Sequence, residues 1–264
     1  MARDDWTAVY TGPYRLTGNT AKVKVLHELH HLISKRSAPS ILDVGYHGLR
    51  PLEFWKPLFA SYESRFHLTC IDVQGIEKAQ DIVVQRGWED WVTLCQGSAY
   101  NLSNLFTPRS FNAVIATQVL EHVARLSDLM QQVTMALDRG GEAFFTVDSA
   151  YWQSRFDLQE PVRLVKNLVK KGLSFLGNEQ HYDLPWFDYE VAEACKGAGL
   201  EIVECRYYNL APLKFIHNHL VPPNRKNAFI RLWFEVEEFL NEEERICEKA
   251  KHLFLGLYLH TRKP

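Results

Sequence analysis

Apolar positions along the chain fall into two rhythms. Short runs of consecutive apolar residues at about 41–44, 68–73, 91–95, 111–117 and 142–147 read as strands buried on both faces. Between and before them, apolar residues recur every three or four positions, which predicts helices over 20–36, 52–62, 76–86 and 127–137. Thr20 is placed to cap the first of these, whose apolar face is Val25, Leu29, Leu32 and Ile33. Gly87 closes the helix over 76–86 as the residue just past its end. Strand and helix alternate as far as residue 148, the signature of a parallel sheet covered on both faces.

After Asp148 the rhythm breaks. Residues 161–176 predict a helix with Val165, Leu168, Val169, Leu173 and Leu176 on one side and Arg163, Lys166, Lys170 and Lys171 on another. Such a face is that of a packed surface helix, or of one that lies on a membrane or covers an acidic ligand. A helix over 189–198 and a strand over 200–207 follow. A mostly helical excursion then runs over 209–250, whose acids Glu242, Glu243 and Glu244 read as a solvated face. A last strand is predicted over 253–260.

Composition narrows the function classes. With 46% hydrophobic and 23% charged residues, the 264-residue chain reads as an ordinary globular protein. A net charge of −2 and a pI near 6.6 give no overall pull toward nucleic acid. The first residues lack an apolar core of signal-peptide type, and no apolar run reaches membrane-spanning length. Cys70, Cys95, Cys195, Cys205 and Cys247 form no C-x-x-C pair. They read as small buried hydrophobes in a reducing cytoplasm rather than as zinc ligands. His27 and His31 share a helix face without an evident third ligand, so a metal centre is not expected there.

The chemistry gathers where the strands end. Asp43 closes the first strand and is followed by Gly45, whose lack of a side chain allows a sharp turn or a close ligand. Asp72 ends the second strand, where an ionised carboxylate is placed to accept hydrogen bonds from ribose hydroxyls. That arrangement also suits NAD. A dinucleotide site, however, wants G-x-G-x-x-G, and the first turn offers only Gly45 and Gly48 behind an acid. An acidic turn suits a positively charged ligand better than a pyrophosphate.

In order and spacing, these segments resemble the class I S-adenosylmethionine-dependent methyltransferases, over roughly residues 38–148. The similarity rests on Ile41-Leu42-Asp43-Val44-Gly45, on Asp72, on Gly97-Ser98-Ala99, on residues 111–115 with Val119-Leu120-Glu121-His122-Val123, and on residues 137–142. The resemblance implies a three-layer α/β/α Rossmann-like sandwich. Its seven-stranded sheet would be mostly parallel, with a C-terminal antiparallel hairpin and helical cap insertions. It divides the chain into an N-terminal lid and helix (1–37, with Tyr10 and Tyr14 in the lid), a cofactor-binding core (38–150), and a completing part (151–264) with caps at about 151–185 and 209–250.

The implied cofactor is S-adenosyl-L-methionine, leaving as S-adenosyl-L-homocysteine. The implied cofactor-binding residues are Asp43, Gly45, Tyr46, His47, Gly48, Asp72, Val73, Gly97, Ser98, Ala99 and Gln118. His122 and His181 are the candidate bases, and no metal is called for. The expected acceptor is a small molecule, lipid-like, glycosylated or anionic, with peripheral membrane contact open through 161–176. Residues 117–120 lack the Asn-Pro-Pro-Tyr pattern of enzymes that methylate DNA amino groups. The departures from the family pattern are His47 and Leu49 in place of a second and third glycine, Ser98 in place of an adenine-facing acid, and Asn112 in place of an Asp. His47, Leu49 and Ser98 fit the alternative of a catalytically degenerate domain that acts as a binding or regulatory partner.

Overall fold

The computed structural model describes residues 19–45, 55, 65–153, 185–242 and 246–264. Seven strands form one sheet in the order β3-β2-β1-β4-β5-β7-β6. They are β1 (Ser40–Val44), β2 (His67–Asp72), β3 (Val92–Gln96), β4 (Phe111–Thr117), β5 (Leu137–Asp148), β6 (Glu201–Leu210) and β7 (Phe254–Arg262). Strands β1 to β5 pair in parallel, and β7 runs antiparallel to both of its neighbours. The helices used below are α1 (Thr20–Lys35), α2 (Ile76–Arg86), α3 (Leu126–Ala136), α4 (Asp188–Gly197), α5 (Ala211–His219) and α6 (Lys226–Glu242).

Alternate residues of the buried strands feed two cores, as the period of two requires. Leu42, Val114, Ala116 and Phe145 face one core with Leu129, Met130 and Val133 of α3 and Val191 and Cys195 of α4. Ile41, Ala113, Ile115 and Phe144 face the other, with Leu26, Leu29 and Ile33 of α1, Val83 of α2 and Trp233 of α6. The expected three-layer sandwich is therefore the observed one.

Several local expectations shift. Asn19, not Thr20, caps α1 by accepting a hydrogen bond from the Lys22 amide at 3.2 Å. Thr20 is instead fully buried, because a polar joint between α1, β6 and α6 needs its hydroxyl. That hydroxyl donates to Glu237, and the Thr20 amide donates to Asn209 Oδ1 at 2.9 Å. Residues 209 and 210, expected in the helical excursion, end β6, and Asn209 there takes a left-handed φ of 61°. Leu137, expected to end the helix over 127–137, and residues 138–141, expected to precede the strand over 142–147, already belong to β5. Cys205 and Cys247 are exposed, so the buried-hydrophobe reading holds for Cys70 and Cys195 only. Cys205 lies on β6, the outermost strand of the sheet, where alternate side chains face solvent.

Among the described residues no helix is long and apolar enough to cross a membrane, and no three His, Cys, Asp or Glu side chains gather as a metal cluster. The predicted helices over 52–62 (Trp55 apart) and 161–176 lie outside the described residues.

Candidate active site at the carboxyl edge of the sheet

The chain runs from β1 outward to β2 and β3, then returns to place β4 on the other side of β1. The strand order thus reverses between β1 and β4, and in open α/β sheets the ligand crevice lies beyond the carboxyl ends at that point. Asp43 and Gly45 leave β1 there, Asp72 leaves β2, Gly97 follows β3, and Gln118 leaves β4. Backbone bonds fix the relative depth of these turns. The Gly45 amide donates to Ile71 O at 2.8 Å, the Gly97 amide to Asp72 O at 2.9 Å, and the Gln118 amide to Thr146 O at 2.9 Å.

Two glycines and one strained residue shape the crevice. Gly45 has φ +75°, and a Cβ there would stand 2.5 Å from Cγ2 of Val119. Its bareness therefore serves a turn and a close approach between the β1 and β4 loops. A Cβ at Gly97 would stand 2.5 Å from Cδ1 of Leu105. Gln118 adopts φ 56°, a conformation that non-glycine residues keep only where surroundings enforce it and that clusters at functional sites.

The electrostatics centre on Asp43. Its carboxylate is buried, and Oδ2 accepts a hydrogen bond from Trp55 Nε1 at 2.7 Å. Burial pushes its pKa up to about 7, against the opposing pull of the Trp55 bond and of Lys22. Lys22, on the first turn of α1, is itself held below the usual lysine range by burial, while Asp43, Glu121 and Asp148 draw it back. A half-buried lysine from the N-terminal helix thus lies among acids that end β1, follow β4 and end β5. Asp72 accepts from the Gln74 amide at 3.3 Å, which holds its carboxylate at the end of β2.

The remaining predicted positions are accounted for individually. Val73 is exposed just past β2, and its carbonyl accepts from Gln96 Nε2 at 3.2 Å. Ser98 spends its hydroxyl on the turn Ala99–Asn101, accepting from the Tyr100 amide at 3.3 Å. His122 ends the turn Leu120–His122 after β4 and is exposed. Tyr46, His47, Gly48 and His181 lie outside the described residues. Asn112, at the start of β4, accepts from the Ser40 amide at 2.9 Å and so ties β4 to β1.

Trp55 and Lys22 escaped the reading of the sequence. Lys22 looks like any polar position of an amphipathic helix, and Trp55 looks like any apolar position of the helix predicted over 52–62. Also unforeseen is a latch around Asp188. Tyr151 Oη donates to Asp188 Oδ1 at 2.6 Å, Tyr207 Oη donates to Asp188 Oδ2, and Lys251 Nζ lies 3.0 Å from Oδ2. The Ala150 amide also donates to Trp186 O at 3.0 Å, so residues 150 and 186 pair beside Asp148.

Comparison with known proteins agrees with this geometry. Residues 42–145 match the family described as a methyltransferase domain. No curated protein matched the chain by sequence. Among solved structures, the fold is similar to Haemonchus contortus phosphoethanolamine N-methyltransferase 2 in complex with S-adenosyl-L-methionine. Identity there is 16% and the TM-score 0.55, over 90% of this chain and 52% of that one. It is similar also to geranyl diphosphate C-methyltransferase from Streptomyces coelicolor A3(2), in complex with Mg2+, geranyl diphosphate and S-adenosyl-L-homocysteine (13% identity, TM-score 0.54, 92% and 84% of the two chains). The [4+2]-cyclase SpnF is a third similar fold (17% identity, TM-score 0.51, 90% and 80%).

Residues 42–145 thus match a methyltransferase domain, on a sheet whose order is consistent with the class I S-adenosylmethionine-dependent methyltransferases. The cofactor of such a domain is S-adenosyl-L-methionine, and the residues at the carboxyl edge fit it. Asp72 offers acceptors for ribose hydroxyls, and Asp43, its pKa pushed up to about 7, can ionise opposite a cationic ligand.

Proposed function

We propose that the chain transfers the methyl group of S-adenosyl-L-methionine to a small-molecule acceptor, lipid-like, glycosylated or anionic. The observation that carries this reading is the convergence of Asp43, Asp72 and strained Gln118 at the switch point between β1 and β4. The cofactor supplies an electrophilic methyl carbon on a sulfonium centre. Displacement at that carbon asks the protein chiefly for positioning. Asp72 would hold the ribose, Asp43 and Lys22 the charged end of the methionyl part, and Gln118 the region of the methyl group. Tyr46, His47, Gly48, Val73, Ser98 and Ala99 complete the proposed cofactor contacts. His122 and His181 are the proposed bases for an acceptor that must lose a proton.

The anionic acceptor class draws support from two names among the similar structures, phosphoethanolamine and geranyl diphosphate. Free cysteines support a cytoplasmic setting. The test is turnover of methyl-labelled cofactor against a panel of phosphorylated, glycosylated and uncharged small acceptors. Label in an acceptor with matching S-adenosyl-L-homocysteine supports the reading, and no turnover with any class contradicts it.

A second reading, a degenerate domain that serves as a binding or regulatory partner, rests on Ser98. Its hydroxyl is occupied by the Tyr100 amide where the family pattern carries a free acid. Cofactor binding without turnover would favour it.

A further inference from the structure

Between β6 and β7 the chain leaves the sheet as a helical hairpin, α5 and α6, joined through Pro222, Pro223 and a short turn. From Ala211 to Phe234 this stretch carries Lys214, Arg225, Lys226 and Arg231 and not one Asp or Glu, in a chain whose net charge is −2. It also exposes large apolar side chains: Phe215 is 58% exposed, Leu220 66% and Leu232 56%. The opposite side of the hairpin is firmly seated. Ile230, Trp233 and Phe234 are buried in the core shared with α1, and buried His217 lies 5.9 Å from the Trp233 ring. The exposed apolar residues are therefore a second face rather than a loosely packed first one.

We propose that the α5–α6 corner docks the protein on an anionic phospholipid bilayer. Interfacial helices combine apolar side chains, which enter the headgroup boundary, with Lys and Arg, which meet the lipid charge. Both components sit here on consecutive elements. The acids of α6 begin at Glu235, one turn beyond Arg231 but about 13 Å along the helix from Lys226, so that Lys214, Arg225 and Lys226 form the cationic corner, beyond the screening length of about 8 Å at physiological ionic strength. The cationic corner is thus electrically separate from the acidic half of α6. Strand β6 runs parallel to β4 and β5, so α5 starts from the same carboxyl edge as Asp43, Gln118 and Asp148. A bilayer held at this corner borders the edge on which the proposed cofactor site opens. The docking itself does not depend on the methyl-transfer reading.

Vesicle flotation of the full chain tests the proposal, using phosphatidylcholine vesicles with and without about a third phosphatidylserine. Each cation near such a surface contributes about fivefold in partitioning, so the expected preference for anionic vesicles is at least about tenfold, shrinking as salt is raised. The double variants Phe215→Ser/Leu220→Ser and Lys214→Glu/Arg225→Glu should each lose most of the binding. Their thermal unfolding and cofactor affinity should stay at wild-type values. Val84→Ser, which alters an exposed apolar residue on α2, should bind vesicles normally. Equal partitioning onto both vesicle types, or binding that ignores both double variants, overturns the proposal. So does a hairpin-dependent self-association seen by sedimentation without vesicle binding, because the face then serves a second copy of the chain.

Discussion

Trp55 Nε1 donates to Asp43 Oδ2 at 2.7 Å, so the acid that ends β1 is both buried and hydrogen-bonded by the chain itself. Burial outweighs that bond, and the carboxyl stays protonated up to about pH 7. Asp43 is therefore poised to change charge near neutrality, when a cationic ligand arrives.

The folded pKa of Asp43 lies above its unfolded value. Its contribution to stability is then fully present below about pH 4 and is lost as pH rises through 7. Over that window the folded state holds one proton more than the unfolded state, a slope of about 1.4 kcal/mol per pH unit. Denaturant unfolding across pH 4.5–7.5 should show wild-type stability falling with pH, and Asp43→Asn should remove about one proton from that slope. Trp55→Phe deletes a bond that favours the ionised form, so the Asp43 pKa should rise further.

Gly45→Ala tests the turn. A left-handed backbone costs a residue with a Cβ about 1–2 kcal/mol, and the new carbon would stand 2.5 Å from Val119. The variant should lose stability by more than the backbone cost alone and bind cofactor weakly. Adding Val119→Ala should restore only the part due to the clash, which thermal melts of the single and double variants will separate.

Glu237 is the anchor of the polar joint between α1, β6 and α6. It is fully buried and accepts from Trp233 Nε1 and the Leu210 amide, each at 2.6 Å, and from Thr20. Burial raises its pKa to about 8. Like Asp43, it stabilises the fold below about pH 4, and that stability is lost as pH rises through 8. Glu237→Ala takes the acceptor from the Trp233 indole and the Leu210 amide and leaves the Thr20 hydroxyl only its 3.3 Å bond to Asn209 Oδ1, and should cost at least about 2 kcal/mol. Glu237→Gln should cost much less and remove one proton from the pH slope.

Much of the fold was legible because its signals are local. β4 was readable to its ends, Phe111 and Thr117, since its apolar positions Phe111 and 113–116 stop between polar Ser110 and Gln118. Gly87 ends α2 with φ 66°, as a glycine past a helix should. The seven strands and the closing antiparallel hairpin came from the family resemblance, and the strand order was not read, since periodicity says nothing about which strands become neighbours. The placement of Asp43, Gly45, Asp72 and Gln118 at the carboxyl edge of the sheet was legible because each marks the end of a readable strand. Trp55 and Lys22 were not, because their partners are set by tertiary contacts that leave no period in the chain. Thr20 was misjudged for a related reason. A residue suited to capping sits next to Asn19, which does the capping, and its true partners Asn209 and Glu237 are remote in sequence.

The latch at Asp188 ties Tyr151 to the start of α4. Tyr151→Phe removes that bond and leaves the sheet intact. Its expected signature is faster proteolysis near residues 151 and 188 at a nearly unchanged melting temperature, followed by limited digestion and mass analysis.

The most direct test of the central claim is titration calorimetry of the purified chain with S-adenosyl-L-methionine and with S-adenosyl-L-homocysteine, for wild type and Asp72→Ala. The account predicts micromolar binding of both by the wild type, and a loss of at least about tenfold in Asp72→Ala from the missing ribose hydrogen bonds. A folded wild-type protein that binds neither ligand, or an Asp72→Ala variant that binds both as tightly as wild type, would contradict it.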